Sequence, residues 1–425
     1  MKFAFVTPRY GADIGSGPEH ACRLIAEQVS GRHDIDVLTT CARDARTWKN
    51  EYAEGADRMR GVLVRRFPVT QPHDRAGFVQ FNDRLLSSPD SRPDQIEWVR
   101  RLGPWTPGLT EFLKRQHRSY DVIVFFSMSH ATTVHGLPVA PERSVVFPYL
   151  RWQRMLRFGL WADLLSSARA IGLFSGAERS LLHDYLRVTS GSDEVVGIGI
   201  DPPPRQAYPR HQQDPNDTVA ATDDEDIPTD AAEAPSDSYL DARGAPFRRR
   251  HRLYGNFALY GGRVDADNGC EEMLEYYDSY ASQDGDVSLV LMGVKMMKLP
   301  DERYLRSAGV LPDRERMVAY EAADVTIAPA PDDLLAQPVL ESLAVGTPVL
   351  ANARNEAAVD HCKRANGGLY YANREEFVEA LRLLTTNRWL CETLGENGRS
   401  YVRHNYRWDG VLGRFERLIA KARAR

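Results

Sequence analysis

The sequence predicts an α/β protein of two doubly wound, Rossmann-like domains facing each other across a cleft. Three observations carry this expectation. Runs of buried-strand character alternate with helical stretches in two separate blocks of the chain. A segment of quite different composition lies between the blocks. Finally, residues 325–353, VTIAPAPDDLLAQPVLESLAVGTPVLANA, read as strand, loop, helix, turn and strand, which is the crossover unit of a parallel sheet.

At 425 residues the chain is long enough for two domains with a core each. Hydrophobic residues make up 43%, charged residues 27%, and the net charge is −5, so no basic face or array points to a nucleic-acid partner. The five cysteines have neither CxxC pairs nor metal-ligand spacing, and their odd number argues against a disulfide framework. No run of about 18 apolar residues occurs, and the N-terminal MKFAFVTPRYG has no long apolar core of a leader. The expected setting is cytoplasmic, with peripheral contact at the inner face of a membrane as the alternative.

The first block opens with a strand at 3–8, a loop at 9–15 and a helix at 17–30. Ser16 and Glu19 form an S-x-x-E capping box with Pro18 in the first turn. A second strand follows at 33–39. Gly15-Ser16-Gly17 resembles the start of G-x-G-x-x-G, but the third glycine position is His20. The loop is also long, and the second strand ends in Thr39-Thr40 without an acid, so nicotinamide or flavin binding is disfavoured. Further strands are expected at 61–67, 120–127, 144–149, 170–174 and 195–200, with a mainly helical excursion at 72–113. Residues 151–165 interleave Arg151, Arg154 and Arg157 with Trp152, Met155, Leu156, Phe158, Leu160 and Trp161. Two readings stand: a segment that lies on an anionic membrane or holds an acidic acceptor, and a helix packed on its own sheet with outward arginines.

Residues 214–241 are rich in Asp, Ala, Pro, Ser and Thr and contain no Lys or Arg, a composition expected to stay disordered. The basic segment from Phe247 to Arg252 follows. The second block then places strands at 257–261, 287–292, 305–310, 325–329, 348–351 and 368–371, with helices between them. The expected division is an N-terminal domain at 1–200, a connection at 201–255, a C-terminal domain at 256–403 and a helix at 404–425 crossing back to the first domain.

In the 325–353 unit, Pro338 suits a first helical turn and Gly346-Thr347-Pro348 ends the helix. Asp333 precedes that helix and Glu341 lies inside it. A helix N-terminus at the strand-end edge offers free N–H groups to a phosphate, and two carboxylates beside it suit the hydroxyls of a nucleotide sugar. The plainer alternative is a crossover helix with solvated acids.

Taken together, several segments are similar to glycosyltransferase family four, which has the GT-B fold. They are Gly15-Ser16-Gly17-Pro18-Glu19, LTTCARDARTWKN from Leu38, GVLVRRFPV from Gly61, YGGRVDADNG from Tyr260, ESLAVGTPVL from Glu341 and NGGLYY from Asn366. The resemblance implies a retaining transfer of a sugar from a nucleotide-diphosphate donor to an acceptor hydroxyl of a sugar, lipid-linked or small molecule, with no cofactor and no metal. By position, Glu341 matches the glutamate that binds ribose, Asp333 stands where a glutamate contacts the donor sugar, and Arg263 matches the arginine that neutralises the diphosphate. Ser16 and Gly17 approach the phosphate from the other domain, with Gln337 at the helix start and Val310 completing the donor side. The family lysine five residues after the arginine is Asn268, for which Lys295 or Lys298 are the candidate substitutes. Leu150-Arg151 stands where the family often carries a histidine, so Arg151 is counted with Asp333 and Arg263 as catalytic. These departures keep open an alternative: a non-catalytic GT-B protein that binds a sugar or a partner. An epimerase or phosphorylase is less well supported, since no glycine-rich lysine site for pyridoxal phosphate is present.

Overall fold

The computed structural model describes residues 1–14, 17–71, 73–189, 191–201, 244–283 and 285–424. Ser16 and the acidic stretch 214–241 lie outside the described residues.

Eight strands form the first sheet: β1 (Lys2–Val6), β2 (Asp34–Thr40), β3 (Gly55–Met59), β4 (Val62–Phe67), β5 (Val122–Phe126), β6 (Ser144–Phe147), β7 (Ala170–Leu173) and β8 (Ser192–Val195). Their order is β3-β4-β2-β1-β5-β6-β7-β8, and only the β3–β4 pair is antiparallel. The central strands β1 and β5 are apolar along their length because helices cover both faces, the usual consequence of parallel crossovers. The edge strand β3, Gly-Ala-Asp-Arg-Met, is mostly exposed, which is why hydrophobic patterning did not reveal it.

The second sheet contains β9 (Phe257–Gly261), β10 (Ser288–Met292), β11 (Leu305–Gly309), β12 (Val325–Ala328), β13 (Val349–Asn352) and β14 (Gly368–Tyr371). All pairs are parallel, in the order β11-β10-β9-β12-β13-β14. In each sheet the connections reverse direction beside the first strand, between β1 and β5 and between β9 and β12. Such a switch opens a crevice outside the carboxyl ends of those strands, where open α/β sheets bind ligands.

Two expected elements differ. The strand expected at 195–200 is displaced to β8: Gly197 has φ +74°, which ends the extended run, and the Trp408 ring packs so close to Gly199 that a Cβ there would overlap it. The segment 151–165 is not one amphipathic helix. A short 3₁₀ turn (Arg154–Arg157) and a helix (Leu160–Ser167) divide it. Leu156, Phe158, Trp161, Leu164 and Leu165 all enter the core, leaving Trp152 as the exposed large side chain. The membrane-surface reading loses its apolar face. Among the described residues no helix is long and apolar enough to cross a membrane.

The chain ends with a helix at Arg388–Asn405 and another at Trp408–Arg423. The last one returns to the first sheet, where Phe415 lies among Phe3, Phe5 and Phe147 at centroid distances of 6.1–6.4 Å. Arg414 Nε donates to the Val196 carbonyl at 2.8 Å, and Arg417 pairs with Glu194 at 3.0 Å.

Candidate functional site

The carboxyl ends of the two sheets face each other across a cleft of about 1390 Å³. That exceeds the roughly 300–1,000 Å³ of a typical small-molecule pocket, so the cleft has room for two substrates.

The floor comes from the β12–β13 crossover. Its helix, Gln337–Val345, starts after Ala336, which has φ +48°, carries Pro338 in the first turn and stops at Gly346 with φ +80°. Nearly every residue of it is buried, so its carboxylate is not a solvated surface acid. Glu341 is 4% exposed, and its Oε1 accepts from Arg316 Nη2 at 2.6 Å and from Gln337 Nε2 at 2.7 Å. Its Oε2 makes no hydrogen bond among the described residues and remains available to a ligand hydroxyl.

Asp333, in the loop before this helix, also lines the cleft. Burial raises its carboxyl pKa, with Arg151 and the Ala336 and Leu335 N–H groups working against the rise. Oδ1 is buried without a hydrogen-bond partner. A buried acceptor left without a partner costs free energy, and a hydrogen bond from the Tyr149 side chain also holds the carboxyl pKa down.

The loop after β9 brings Arg263 and Asn268 to the same wall. Arg263 forms an ion pair with Asp265. Asn268 Nδ2 donates to the Arg263 carbonyl at 3.0 Å and to Asp265 Oδ1 at 2.8 Å, which fixes the loop as a short turn. The neighbouring Gly293, after β10, has φ +142°, and a Cβ on it would overlap the Gly262 carbonyl, so this close approach of two strand ends requires glycine.

Arg151 arrives from the opposite domain, on the loop after β6. Its Nε donates to the Asp332 carbonyl and its Nη2 to Asn268 Oδ1, both at 3.3 Å. Both acceptors are neutral. No carboxylate lies within 4.0 Å of this guanidinium among the described residues. Burial works against its charge, but Tyr149, Asp333 and Asp332 outweigh that and leave its pKa above the ordinary value. The backbone that presents it is held by Glu178, buried, whose carboxylate accepts the Leu150 N–H at 2.8 Å and the Phe174 N–H at 2.6 Å. Tyr149 itself has φ +56°.

Among the other expected donor-side positions, Gly17 lines the cleft with φ +75° at the start of the helix Gly17–Val29, and Val310 lines it with its side chain 58% exposed. Ser16 lies outside the described residues. Lys295 and Lys298 are exposed and do not line the cleft. The reason for Lys295 is register: it bridges Val264 in parallel, so its neighbours Val294 and Met296 take the inward positions. Neither lysine reaches the wall that carries Asn268. The guanidinium beside Asn268 is Arg151.

Sequence reasoning missed four contributors, Arg316, Ser127, His130 and Arg9. Arg316 looked like one charge on a polar helix, yet it holds Glu341. Ser127 and His130 follow β5; Ser127 Oγ is 2.7 Å from His130 Nδ1, and burial lowers the His130 pKa to about 4. Arg9 donates through Nε and Nη2 to Glu19 Oε1 at 3.0 and 2.9 Å, so the capping acid is an ion-pair partner at the cleft edge. None of the four carried a local signal of its own; only Arg9's partner Glu19 did, as the capping acid.

Residues 245–401 match the model of the family described as glycosyl transferases group 1. Among solved structures the chain is similar to sucrose-phosphate synthase from Thermosynechococcus elongatus, at 14% identity over 99% of each chain with a TM-score of 0.68. It is also similar to Anabaena Alr3699/HepE in complex with UDP and glucose, at 12% identity over 99% of each chain with a TM-score of 0.66. A third is WaaG, a glycosyltransferase involved in lipopolysaccharide biosynthesis, at 16% identity over 98% of this chain and 99% of that one with a TM-score of 0.61. At such identities the likeness is one of fold, the two-domain GT-B architecture.

Proposed function

Because residues 245–401 match the group 1 glycosyl transferases, we propose that this chain transfers a sugar from a nucleotide-diphosphate donor to an acceptor hydroxyl, with retention at the anomeric carbon. The observation that carries the reading is Arg151, a guanidinium without an ion-pair partner within 4.0 Å among the described residues, facing Arg263 and Asn268 above the start of the helix that bears Glu341.

In this reading Glu341 Oε2 accepts from ribose hydroxyls while Arg316 and Gln337 hold Oε1. The bond from the anomeric carbon to the diphosphate oxygen breaks, the acceptor oxygen bonds to that carbon while its proton passes to the departing diphosphate, and negative charge grows on the leaving group as the bond opens. Arg151 and the N-terminal N–H groups of the Gln337 helix stand on that side before the reaction, so stabilising the charge requires little reorganisation of them, while Arg263 joins by leaving Asp265. Fixed guanidinium charge takes the role a metal ion has elsewhere. Asp333 accepts from hydroxyls of the transferred sugar. The acceptor, a sugar, lipid-linked or small molecule, enters on the side of Trp152, Ser127 and His130.

A second reading, a GT-B protein that binds without transferring, is favoured by the closure of Arg263 on Asp265. A panel of nucleoside diphosphates and their sugars separates the two. Binding lost in Glu341→Ala together with donor turnover supports the transferase, and binding without turnover on any acceptor or water supports the second reading. No binding by any member of the panel defeats both.

A further inference from the structure

The third glycine position of the G-x-G-x-x-G-like segment is His20, and the structure gives that departure a use. His20 and Arg23 lie one helical turn apart on Gly17–Val29 of the first domain, and both are fully buried against the second domain. His20 Nδ1 is 3.2 Å from Gln337 Oε1. Since Gln337 Nε2 donates to the Glu341 carboxylate, its oxygen must face His20, and His20 carries its proton on Nδ1. The other ring nitrogen is 3.6 Å from Asp313 Oδ1. Arg23 Nη2 donates to both oxygens of Asp313, at 3.3 and 3.0 Å. Asp313 in turn stands 3.7 Å from Arg316, the residue that holds Glu341.

Two chains of contact therefore run from one helix of the first domain to Glu341 in the second. One passes through Gln337 and the other through Asp313 and Arg316. We propose that His20 and Arg23 form an interdomain latch that sets the position of Glu341 and, through it, the affinity for the donor nucleotide. The inference rests on the donor reading of Glu341. His20, Arg23 and Asp313 are positioning residues here, since they act through Gln337 and Arg316. Removing Asp313 leaves the buried Arg23 guanidinium without its cross-domain partner, a cost that favours the domains separating. A cleft held by this latch is already set for ribose, whereas an open one must first be closed by binding energy.

The test compares wild type with Asp313→Asn, Arg23→Gln and the double variant of the full chain. Uridine, adenosine and guanosine diphosphates are titrated calorimetrically in turn, and the radius of gyration of the ligand-free protein is measured by small-angle scattering. Each single variant is expected to weaken the best diphosphate about tenfold, within the usual range for coupled sites. The double variant should be no weaker than the worse single, because both remove one connection. The radius of gyration should rise in all three. Additive losses in the double variant, or affinities within twofold of wild type at an unchanged radius, overturn the latch. Should one variant fail to fold, the other and its scattering still decide. If wild type binds none of the three diphosphates, the donor reading is what fails, and the latch then stands or falls on the radius alone.

Discussion

Among the described residues, the Arg151 guanidinium donates hydrogen bonds to a backbone carbonyl and an amide oxygen, although it sits at the meeting of two domains. Asp333, Asp332 and Asp267 favour its charge from a distance, and its direct hydrogen bonds leave room for an anion that arrives with the substrate. Arg151→Ala is expected to reduce the transfer rate by roughly 100- to 1000-fold, the range for one preorganised charge-stabilising group, with a much smaller change in nucleotide affinity measured by calorimetry. Asn268→Lys in wild type should gain little, since it sets a second cation beside Arg151; in the Arg151→Ala background it should return part of the lost rate. Glu178, which holds the Arg151 loop, carries a pH prediction of its own. Burial lifts its carboxyl to about 7 despite the Phe174 and Leu150 N–H groups. The folded pKa lies above the unfolded one, so its favourable share of stability is complete below about pH 4 and is lost as pH rises through 7, amounting to roughly 3 kcal/mol. Glu178→Gln should flatten this, so that between pH 5 and 8 the thermal midpoint of the variant falls less than that of wild type. Glu341, Gln337 and Asp333 were legible in the sequence because they sit in a strand-loop-helix unit whose local shape brings them to a strand end, whereas Arg263 and Asn268 were singled out by the family resemblance. Arg316, His20 and His130 were not. Arg316 and His20 act through neighbours some 20 to 300 positions away, and His130 is set by its burial beside Ser127, so no local pattern encodes these roles.

At the level of elements, the strands with continuous apolar runs, such as β1, β5, β9 and β12, could be read directly because both of their faces are buried. The edge strands β3 and β8 could not, since an edge needs no apolar pattern to pair on one side. The segment 151–165 shows the opposite error. Its mixture of arginines and aromatics mimics an amphipathic helix, but Gly159 and the turn before it redirect the chain, and most of the aromatics pack inward. The last helix, Trp408–Arg423, is a tie between the two halves of the chain. Phe415→Ala removes the ring that sits among Phe3, Phe5 and Phe147 and should cost about 3–5 kcal/mol. The loss should appear in denaturant unfolding as an earlier transition of the first domain, with the second domain less affected.

For the molecule as a whole, two sheets with reversed connections place their switch points opposite each other, and the two walls of the cleft belong to different domains. The fold class followed from the two β-α blocks alone, whereas the way the domains clasp, through His20, Arg23 and Asp313, required the structure. On this reading the cleft binds a nucleoside diphosphate through Glu341. The direct measurement is a thermal-shift panel of uridine, adenosine and guanosine diphosphates on wild type and Glu341→Ala. One diphosphate at a hundred times its Kd should stabilise wild type by about 2.7 kcal/mol and leave Glu341→Ala unshifted. Equal shifts in both proteins, or none in wild type, would contradict the account.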